Sequence, residues 1–547
     1  MTDSRKLSQL KSPFHFLNFP NVSFRDYFLN ITSGWGNRTA LIDAYTGNKT
    51  TYNELNRKSQ SVATSLIKRG YEKGDVITIF MKNHPEFVTT VGGVGSANLI
   101  LSTCNPAYTS SELHFQLTNN TSRSLVTTSD MIPVIADVAK EGIHFKDIFV
   151  VGNPPETTFD LPITSFESLC NETAFLEPKS KIDPKNDVLL LPYSSGTTGL
   201  PKGVMLTHHN LISNTMAFTS PIDDKGHILI NANEDAVGMG LLPMYHIYGL
   251  YMFAFCFPTT GLTNVVLKEF EPQIFLETIQ NYKVSTLNIV PPLALFLAKS
   301  PMVEDYDISS LQDALCAAAP VGPETIDMVV ERVKNKNFRL RQAYGLTETS
   351  PLASVLPYHL VESTPVASIG YLISNSEAQI ADIDTLEPLP IGEEGELLLK
   401  GDHIMKGYWK NEHATQNTIY NGWLRTGDIA KMKEKGDIYI TDRLKELIKT
   451  KGLQVAPAEL EALLLTHPAV QDSCVVGLPD ERAGELPFAA VVLKAQQRVT
   501  EKEIKDFVAA KVAPHKQLQG GVKFFESIPK TASGKILRRV LKASLIK

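Results

Sequence analysis

Residues 188–206 read VLLLPYSSGTTGLPKGVML, and the reading of this stretch sets the frame for the whole chain. It opens with Val188-Leu189-Leu190-Leu191, an apolar run of the length and composition of a buried strand. A loop of small residues follows, Ser194-Ser195-Gly196-Thr197-Thr198-Gly199, then Pro201, Lys202 and Gly203, and a second apolar piece, Val204-Met205-Leu206. Gly196, Gly199 and Gly203 allow backbone conformations that point several N–H groups into one space. Ser195, Thr197 and Thr198 add hydroxyls, and Lys202 adds a positive charge. The set suits phosphate oxygens. The spacing is not that of a Walker loop, because Pro201 precedes the lysine and Gly203 follows it. Taken alone, the stretch also reads as a surface hairpin with Ser/Thr turns.

A chain of 547 residues is too long for a single core, so two or more domains are expected. Hydrophobic content of 43% and charge of 20% are those of an ordinary globular protein. The net charge of -6, with both signs interspersed, supplies no basic stripe for nucleic acid. Cys104, Cys170, Cys256, Cys316 and Cys474 are scattered and have no ligand-spaced partners, so they read as buried free thiols in a reducing compartment. The opening residues, MTDSRKLSQLKSPFHF, lack the apolar core of a signal peptide. The most apolar run, from Leu250 to Phe257, is far shorter than the roughly 20 residues of a membrane span and reads as a core helix. The chain closes on Leu-Ile-Lys rather than the peroxisomal signal Ser-Lys-Leu, and the expected location is cytoplasmic, with the peroxisome as the alternative.

Along the chain, residues 1–23 read as a poorly ordered lead-in. Thr51-Tyr52-Asn53-Glu54 and Thr109-Ser110-Ser111-Glu112 are capping boxes that start helices. Apolar runs at 76–80, 124–128, 148–151, 285–290 and 313–319 read as strands, which with the helices between them predict parallel sheets covered on both faces. After about Gly370 short strands with Gly turns indicate a β-rich subdomain. The end of the chain reads as helix 457–465, strands 474–477 and 488–493, helix 500–511 and strand 522–525, a small α+β unit. The expected fold class is therefore α/β: a large N-terminal domain (24–443) of doubly wound sheets plus a β-rich subdomain, and a small mobile α+β C-terminal domain (444–547).

Further chemistry stands in short blocks. Small residues at Ala317-Ala318-Ala319 let a flat purine approach the backbone, and Tyr344 in Gln342-Ala343-Tyr344-Gly345-Leu346-Thr347-Glu348 can stack on it. Thr347 can bond a phosphate, and Glu348 is the hard oxygen ligand that Mg²⁺ prefers. Asp428, after Gly427, can accept from a ribose diol, or it is simply a turn residue. Lys535 in Pro529-Lys530-Thr531-Ala532-Ser533-Gly534-Lys535 sits in a loop from which a lysine can swing, or in a merely basic tail.

SSGTTGLPKG, AYGLTET, GWLRTGD, DRLKELIK and PKTASGKILR together resemble the signature motifs of the adenylate-forming superfamily, over about residues 24–539. The likeness is strongest to its 4-coumarate–CoA ligase and luciferase-like branch. The resemblance implies an ATP-dependent acid–CoA ligase that activates an aromatic or fatty acid as its adenylate. The alternatives are a luciferase-like monooxygenase and a silent adenylate-binding regulator. Catalytic roles are implied for Lys535, His246 and the hinge residue Lys445. ATP or AMP would be bound by Ser194, Ser195, Gly196, Thr197, Thr198, Gly199, Lys202, Ala318, Gln342, Ala343, Tyr344, Thr347, Asp428, Arg443, Lys445, Lys449 and Lys535. The acid would lie among His246, Tyr248, Ala317, Ala318, Ala343, Pro351 and Leu352, with Ala317 and Ala343 narrowing a site where plant 4-coumarate–CoA ligases often carry Gly. Lys268, Lys451 and Gly452 match positions that hold coenzyme A, and Glu348 would hold Mg²⁺.

Overall fold

The computed structural model describes residues 7–155, 160–194, 201–365, 367–434, 436–444, 446–450, 453–480, 482–531, 534 and 536–545. Two nine-stranded sheets dominate the first part of the chain. The first runs, in spatial order, through Tyr193–Ser194, Lys202–Thr207, Val188–Leu191, Ile100–Thr103, Val76–Phe80, Ser124–Thr128, Asp147–Val151 and Ile163–Ser165. From Val188–Leu191 onward its neighbours are parallel. Lys202–Thr207 is antiparallel on both sides, to Tyr193–Ser194 and to Val188–Leu191, and also pairs with the distant Gly407–Tyr408. The quoted stretch is thus a buried strand and a hairpin on the edge of a parallel sheet.

The second sheet runs Tyr371–Leu372, Leu352–Val355, Arg339–Gly345, Asp313–Cys316, Thr286–Ile289, Val237–Gly240, Thr263–Val266, Thr39–Asp43 and Lys49–Thr51. The pairings from Arg339–Gly345 to Thr39–Asp43 are parallel. A single core joins the two sheets: Ile77 and Ile79 of the first, Val265 and Leu287 of the second, and Val62, Val88 and Val91 from the helices Tyr52–Lys68 and Pro85–Ser96. These helices touch closely, because a Cβ on Gly93 would collide with Val62. Both predicted capping boxes form, at Thr51/Glu54 and Thr109/Glu112. All five cysteines are buried free thiols.

The β-rich subdomain is a six-stranded sheet that includes Ser376–Ala381, Glu394–Gly401, Trp423–Met432 and Ile438–Arg443, all antiparallel. Its edge strand corrects the reading of residues 1–23 as a poorly ordered lead-in where the segment is described: Gln9–Lys11 pairs with Ser376–Ala381, Gln9 opposite Gln379. Backbone ladders recruit a polar segment without any apolar pattern to announce it. Two spans were also shorter or different in kind. The strand expected over 313–319 stops at Cys316, and the run expected as a core helix contains a π-helical stretch, Tyr251–Cys256, between short α-helical turns.

Beyond residue 447 the chain builds its own five-stranded sheet, Leu453–Val455, Ile448–Thr450, Gly484–Leu493 and Val470–Asp480, with Gly521–Phe524 beside Gly484–Leu493. Strand alternation splits its apolar residues between two faces. Val475, Ala489 and Val491 pack with Leu460, Leu464, Ile504 and Val508, while Cys474, Val476 and Ala490 pack with Ile528 and Leu541. Among the described residues, no helix is long and apolar enough to cross a membrane.

Candidate active site

The carboxyl ends of the parallel strands in the second sheet converge on one edge, the usual place for ligands in open α/β sheets. Val237–Gly240 leads to Tyr245, His246 and Tyr248, and Thr286–Ile289 to Val290 and Pro292. Asp313–Cys316 leads to Ala317 and Ala318, and Arg339–Gly345 ends in Gln342, Ala343 and Tyr344. The root of this edge is held by a buried ion pair, in which Arg341 grips Asp313 with two hydrogen bonds of 2.7 and 2.6 Å. The Gln342 side chain accepts from Val321 N–H at 2.9 Å and so ties down the loop that carries Ala317 and Ala318. Ala318 itself adopts a left-handed φ of 74°, which costs an alanine more than a glycine.

His246 caps the short helix Ile247–Leu250, its Nδ1 accepting from Tyr248 N–H at 3.4 Å. Tyr248 O–H donates to Leu315 O at 2.8 Å, which places it beside the strand that leads to Ala317. Burial raises the Tyr248 phenol far above its ordinary value, so it remains a neutral donor. Pro351 and Leu352 are both buried; Pro351 O accepts from Leu346 N–H at 3.1 Å, and Leu352 pairs opposite Gly345. A Cβ on Gly345 would collide with Pro351 O, so glycine is required at this crossing.

One group of side chains joins the edges of the two nine-stranded sheets around Glu348. Ser194 Oγ donates to Glu348 Oε1 at 3.1 Å, and Tyr408 O–H donates to the same oxygen at 2.8 Å. Lys202 Nζ lies 4.8 Å from the centre of the Tyr408 ring. Burial first, then the Glu348 carboxylate, pushes the Tyr408 phenol up, so it keeps its proton and donates. Among the described residues, Glu348 Oε2 has no donor; a carboxylate with one oxygen oriented and the other free fits a hard cation such as Mg²⁺.

A second group surrounds Asp428, which is 4% exposed. Tyr344 O–H donates to Asp428 Oδ2 at 2.6 Å, and Arg443 Nε stands 3.4 Å from Oδ1. Asp428 and Arg443 face each other across adjacent strands. Burial, and next the Asp428 carboxylate, lift the Tyr344 phenol far above its usual range. Thr347 opens the turn Thr347–Thr349 between the two groups.

The structure thus brings together Ser194, Lys202 and Glu348, and separately Tyr344, Asp428 and Arg443. Lys268 is exposed beyond the strand Thr263–Val266, and Lys449 is exposed on Ile448–Thr450. Ser195, Gly196, Thr197, Thr198, Gly199, Lys445, Lys451, Gly452 and Lys535 lie outside the described residues. Gly534, next to Lys535, does reach the candidate edge: a Cβ on it would stand 2.9 Å from Pro292 Cδ, at the start of the helix Pro291–Lys299. Tyr408 escaped sequence reasoning. Its only local signal was the GYW stretch, and its role depends on Val204 pairing with Tyr408 across the sheet. Asn214 escaped as well; buried, it donates to Thr349 O at 3.2 Å and Leu352 O at 2.7 Å, fixing the turn below Glu348.

The profile of the AMP-binding enzyme family matches residues 30–409, and that of the AMP-binding enzyme C-terminal domain matches 459–535. The chain belongs to the AMP-binding enzyme family. It is a ligase of the adenylate-forming kind. It is 42% identical over 494 residues to a probable 4-coumarate–CoA ligase 1 of Dictyostelium discoideum, covering 88% of each chain. It is 38% identical over 536 residues to 4-coumarate–CoA ligase 2 of Petroselinum crispum, covering 97% of this chain and 94% of the relative. Among solved structures, o-succinylbenzoate CoA synthetase of Bacillus subtilis in complex with its acyl-adenylate intermediate superposes with a TM-score of 0.78 at 26% identity, over 96% of this chain and 99% of that one. ATP-bound MatB of Rhodopseudomonas palustris, at 24% identity, shares the fold with a TM-score of 0.83 over 95% and 98%.

Proposed function

We propose that this ligase activates a carboxylic acid with ATP and then transfers the acyl group to coenzyme A. The observation that carries the reading is the pairing of an oriented Glu348 and Lys202 at one end of the edge with the Tyr344–Asp428–Arg443 group at the other. The acid's carboxylate oxygen attacks the α-phosphate, the bond to the β-phosphate oxygen breaks, and pyrophosphate leaves. The coenzyme A thiol then attacks the acyl carbon, AMP departs with the anhydride oxygen, and the thiol proton is released. Positioning and charge stabilisation do most of the work in such in-line displacements.

On this reading Asp428 and Arg443 hold the ribose, while Tyr344 with Ala318, Gln342 and Ala343 receives the adenine. Ser194, Ser195, Gly196, Thr197, Thr198, Gly199, Lys202 and Thr347 surround the phosphates. Glu348 holds Mg²⁺, which when bound offsets phosphate charge. His246, Tyr248, Ala317, Ala343, Pro351 and Leu352 line the acid pocket. Lys535 stabilises charge in the first step, and Lys449 assists from the small domain. The domain division falls at 443/444, with Lys445 as hinge, and Lys268, Lys451 and Gly452 guide coenzyme A. Curated relatives named as 4-coumarate–CoA ligases, at 42% and 38% identity, favour an aromatic acid of that type over a fatty acid, and a ligase over a luciferase-like oxygenase.

The test is a panel of cinnamic, benzoic, medium-chain and long-chain fatty acids assayed for AMP, pyrophosphate and CoA thioester. Equimolar AMP and thioester with a hydroxycinnamate is the expected result. Acid-dependent pyrophosphate release with no thioester from any acid would overturn the second half of the reaction.

A further inference from the structure

Away from this edge, two segments far apart in sequence bring two imidazoles and a carboxylate to one place. Pro221 and Ile228 close a short hairpin whose turn carries Asp223 and His227. His359 belongs to the helical turn Tyr358–Ser363. Asp223 Oδ2 lies 2.7 Å from His227 Nδ1, and the rings of His227 and His359 are stacked 3.8 Å apart, 10° from parallel. Ligand atoms of all three residues fall within 4.8 Å of one another.

The carboxylate is oriented for this task. Its other oxygen, Oδ1, accepts from Lys225 N–H at 3.0 Å and His227 N–H at 3.1 Å, which fixes Asp223 and leaves Oδ2 directed at the imidazole. The two segments are also tethered beneath the cluster: Arg341 Nη1 donates to Leu229 O at 3.0 Å and to Leu356 O at 2.9 Å. The three groups therefore cannot drift far apart. The ligand atoms need to close from within 4.8 Å to the roughly 3.3 Å that zinc bonds of about 2.0–2.1 Å set between tetrahedral ligands, and the stacked rings must turn out of parallel, which the exposed His359 side chain does by changing rotamer. The Asp223–His227 pair would open slightly, and His359 would close.

We propose that Asp223, His227 and His359 form a site for a borderline divalent cation, zinc in the first instance. Two imidazole nitrogens and one carboxylate oxygen suit zinc, cobalt, nickel or copper, and disfavour Mg²⁺, which takes oxygen ligands. Three protein ligands leave a fourth position for water. The ion would staple the 221–228 hairpin to the 358–363 turn, the same two segments that Arg341 joins from within. The site is separate from the Glu348 group and does not depend on the ligase reading.

The experiment uses the full chain with any affinity tag removed and metals stripped by chelation. Cobalt is titrated by absorption and zinc by calorimetry, both in millimolar Mg²⁺. One equivalent should bind with a Kd below about 10 μM. His227→Gln and His359→Gln should each weaken binding by about tenfold or more. His15→Gln should leave it unchanged, because His15 contacts Asp224 at 3.4 Å but stands outside the cluster. Zinc should raise the melting temperature of the wild type and not of His359→Gln. X-ray absorption on the wild type, which needs no variant, should count two imidazoles around the ion. No binding below about 100 μM, binding that survives both substitutions, or fewer than two imidazoles would each overturn the site.

Discussion

At one end of the candidate nucleotide site, Tyr344, Asp428 and Arg443 are bonded to each other; at the other, Lys202 rests over a ring and, among the described residues, Glu348 keeps one oxygen without a donor. The first group is polar and already satisfied. A ligand hydroxyl arriving there exchanges one set of hydrogen bonds for another, which favours position over large gains in energy. Among the described residues, the second group leaves a cation and a carboxylate oxygen without an ion-pair partner. It can respond when charge moves during a reaction, which is where transition-state stabilisation arises. On the proposed reading, changes at the phosphate end should therefore act on rate and changes at the nucleoside end on binding.

The largest effect is expected from Lys535→Ala. Adenylation should slow by on the order of a hundredfold or more, the scale of removing one oriented charge-stabilising donor. Thioester formation from supplied acyl-adenylate should suffer far less, and equal loss in both half-reactions would remove Lys535 from the phosphate end. Next comes Glu348→Gln, which keeps the shape and removes the charge. Pyrophosphate release should fall roughly 10–100-fold, corresponding to about 1.4–2.7 kcal/mol, and saturation should need more Mg²⁺. An unchanged Mg²⁺ requirement would contradict the assignment.

Asp428→Asn should raise the KM for ATP about tenfold with kcat nearly intact, the pattern of uniform binding lost. A fall in kcat with KM unchanged would erase the contrast between the two ends. Tyr408→Phe should be the mildest change, a loss of about two- to tenfold, because it deletes one hydrogen bond to Glu348 and keeps the ring beneath Lys202. Its effect should shrink in a Glu348→Gln background, and full additivity would show that Tyr408 does not act through Glu348.

A last difference concerns acid. Met405 N–H holds Glu348 O at 2.9 Å, and two residues earlier His403 is buried, with burial lowering its pKa to about 4. An imidazole in the unfolded chain titrates near 6.5, so between about pH 6.5 and 4 the unfolded state binds more protons. The native state is favoured above that window and loses up to about 3 kcal/mol as pH falls through it. His208, buried and lowered to about 4 chiefly by desolvation, adds in the same direction. The melting temperature should fall between pH 7 and 5, less steeply for His403→Gln; parallel curves would show that His403 does not sense the acid.

Much of this was legible in the chain. The strands 76–80 and 124–128, the capping boxes at Thr51 and Thr109, and the helix 457–465 depend on rules that act within a few residues. Residue types for charge work, Lys202, Glu348 and Asp428, also stood out in their local motifs. Span ends were less legible, as at Cys316, because an apolar run does not say where the ladder stops pairing.

The order of elements and the chemical inventory follow from the chain's local patterns, since apolar period, capping and glycine placement are local properties of the backbone. Tertiary structure alone decided which of those groups meet. Gln9 finds Gln379, Tyr408 reaches Glu348 through a strand pairing with Val204, and His227 stacks on His359. Those partners are separated by dozens to hundreds of residues, and only sheet register and the closing of a shared core bring them within hydrogen-bond range.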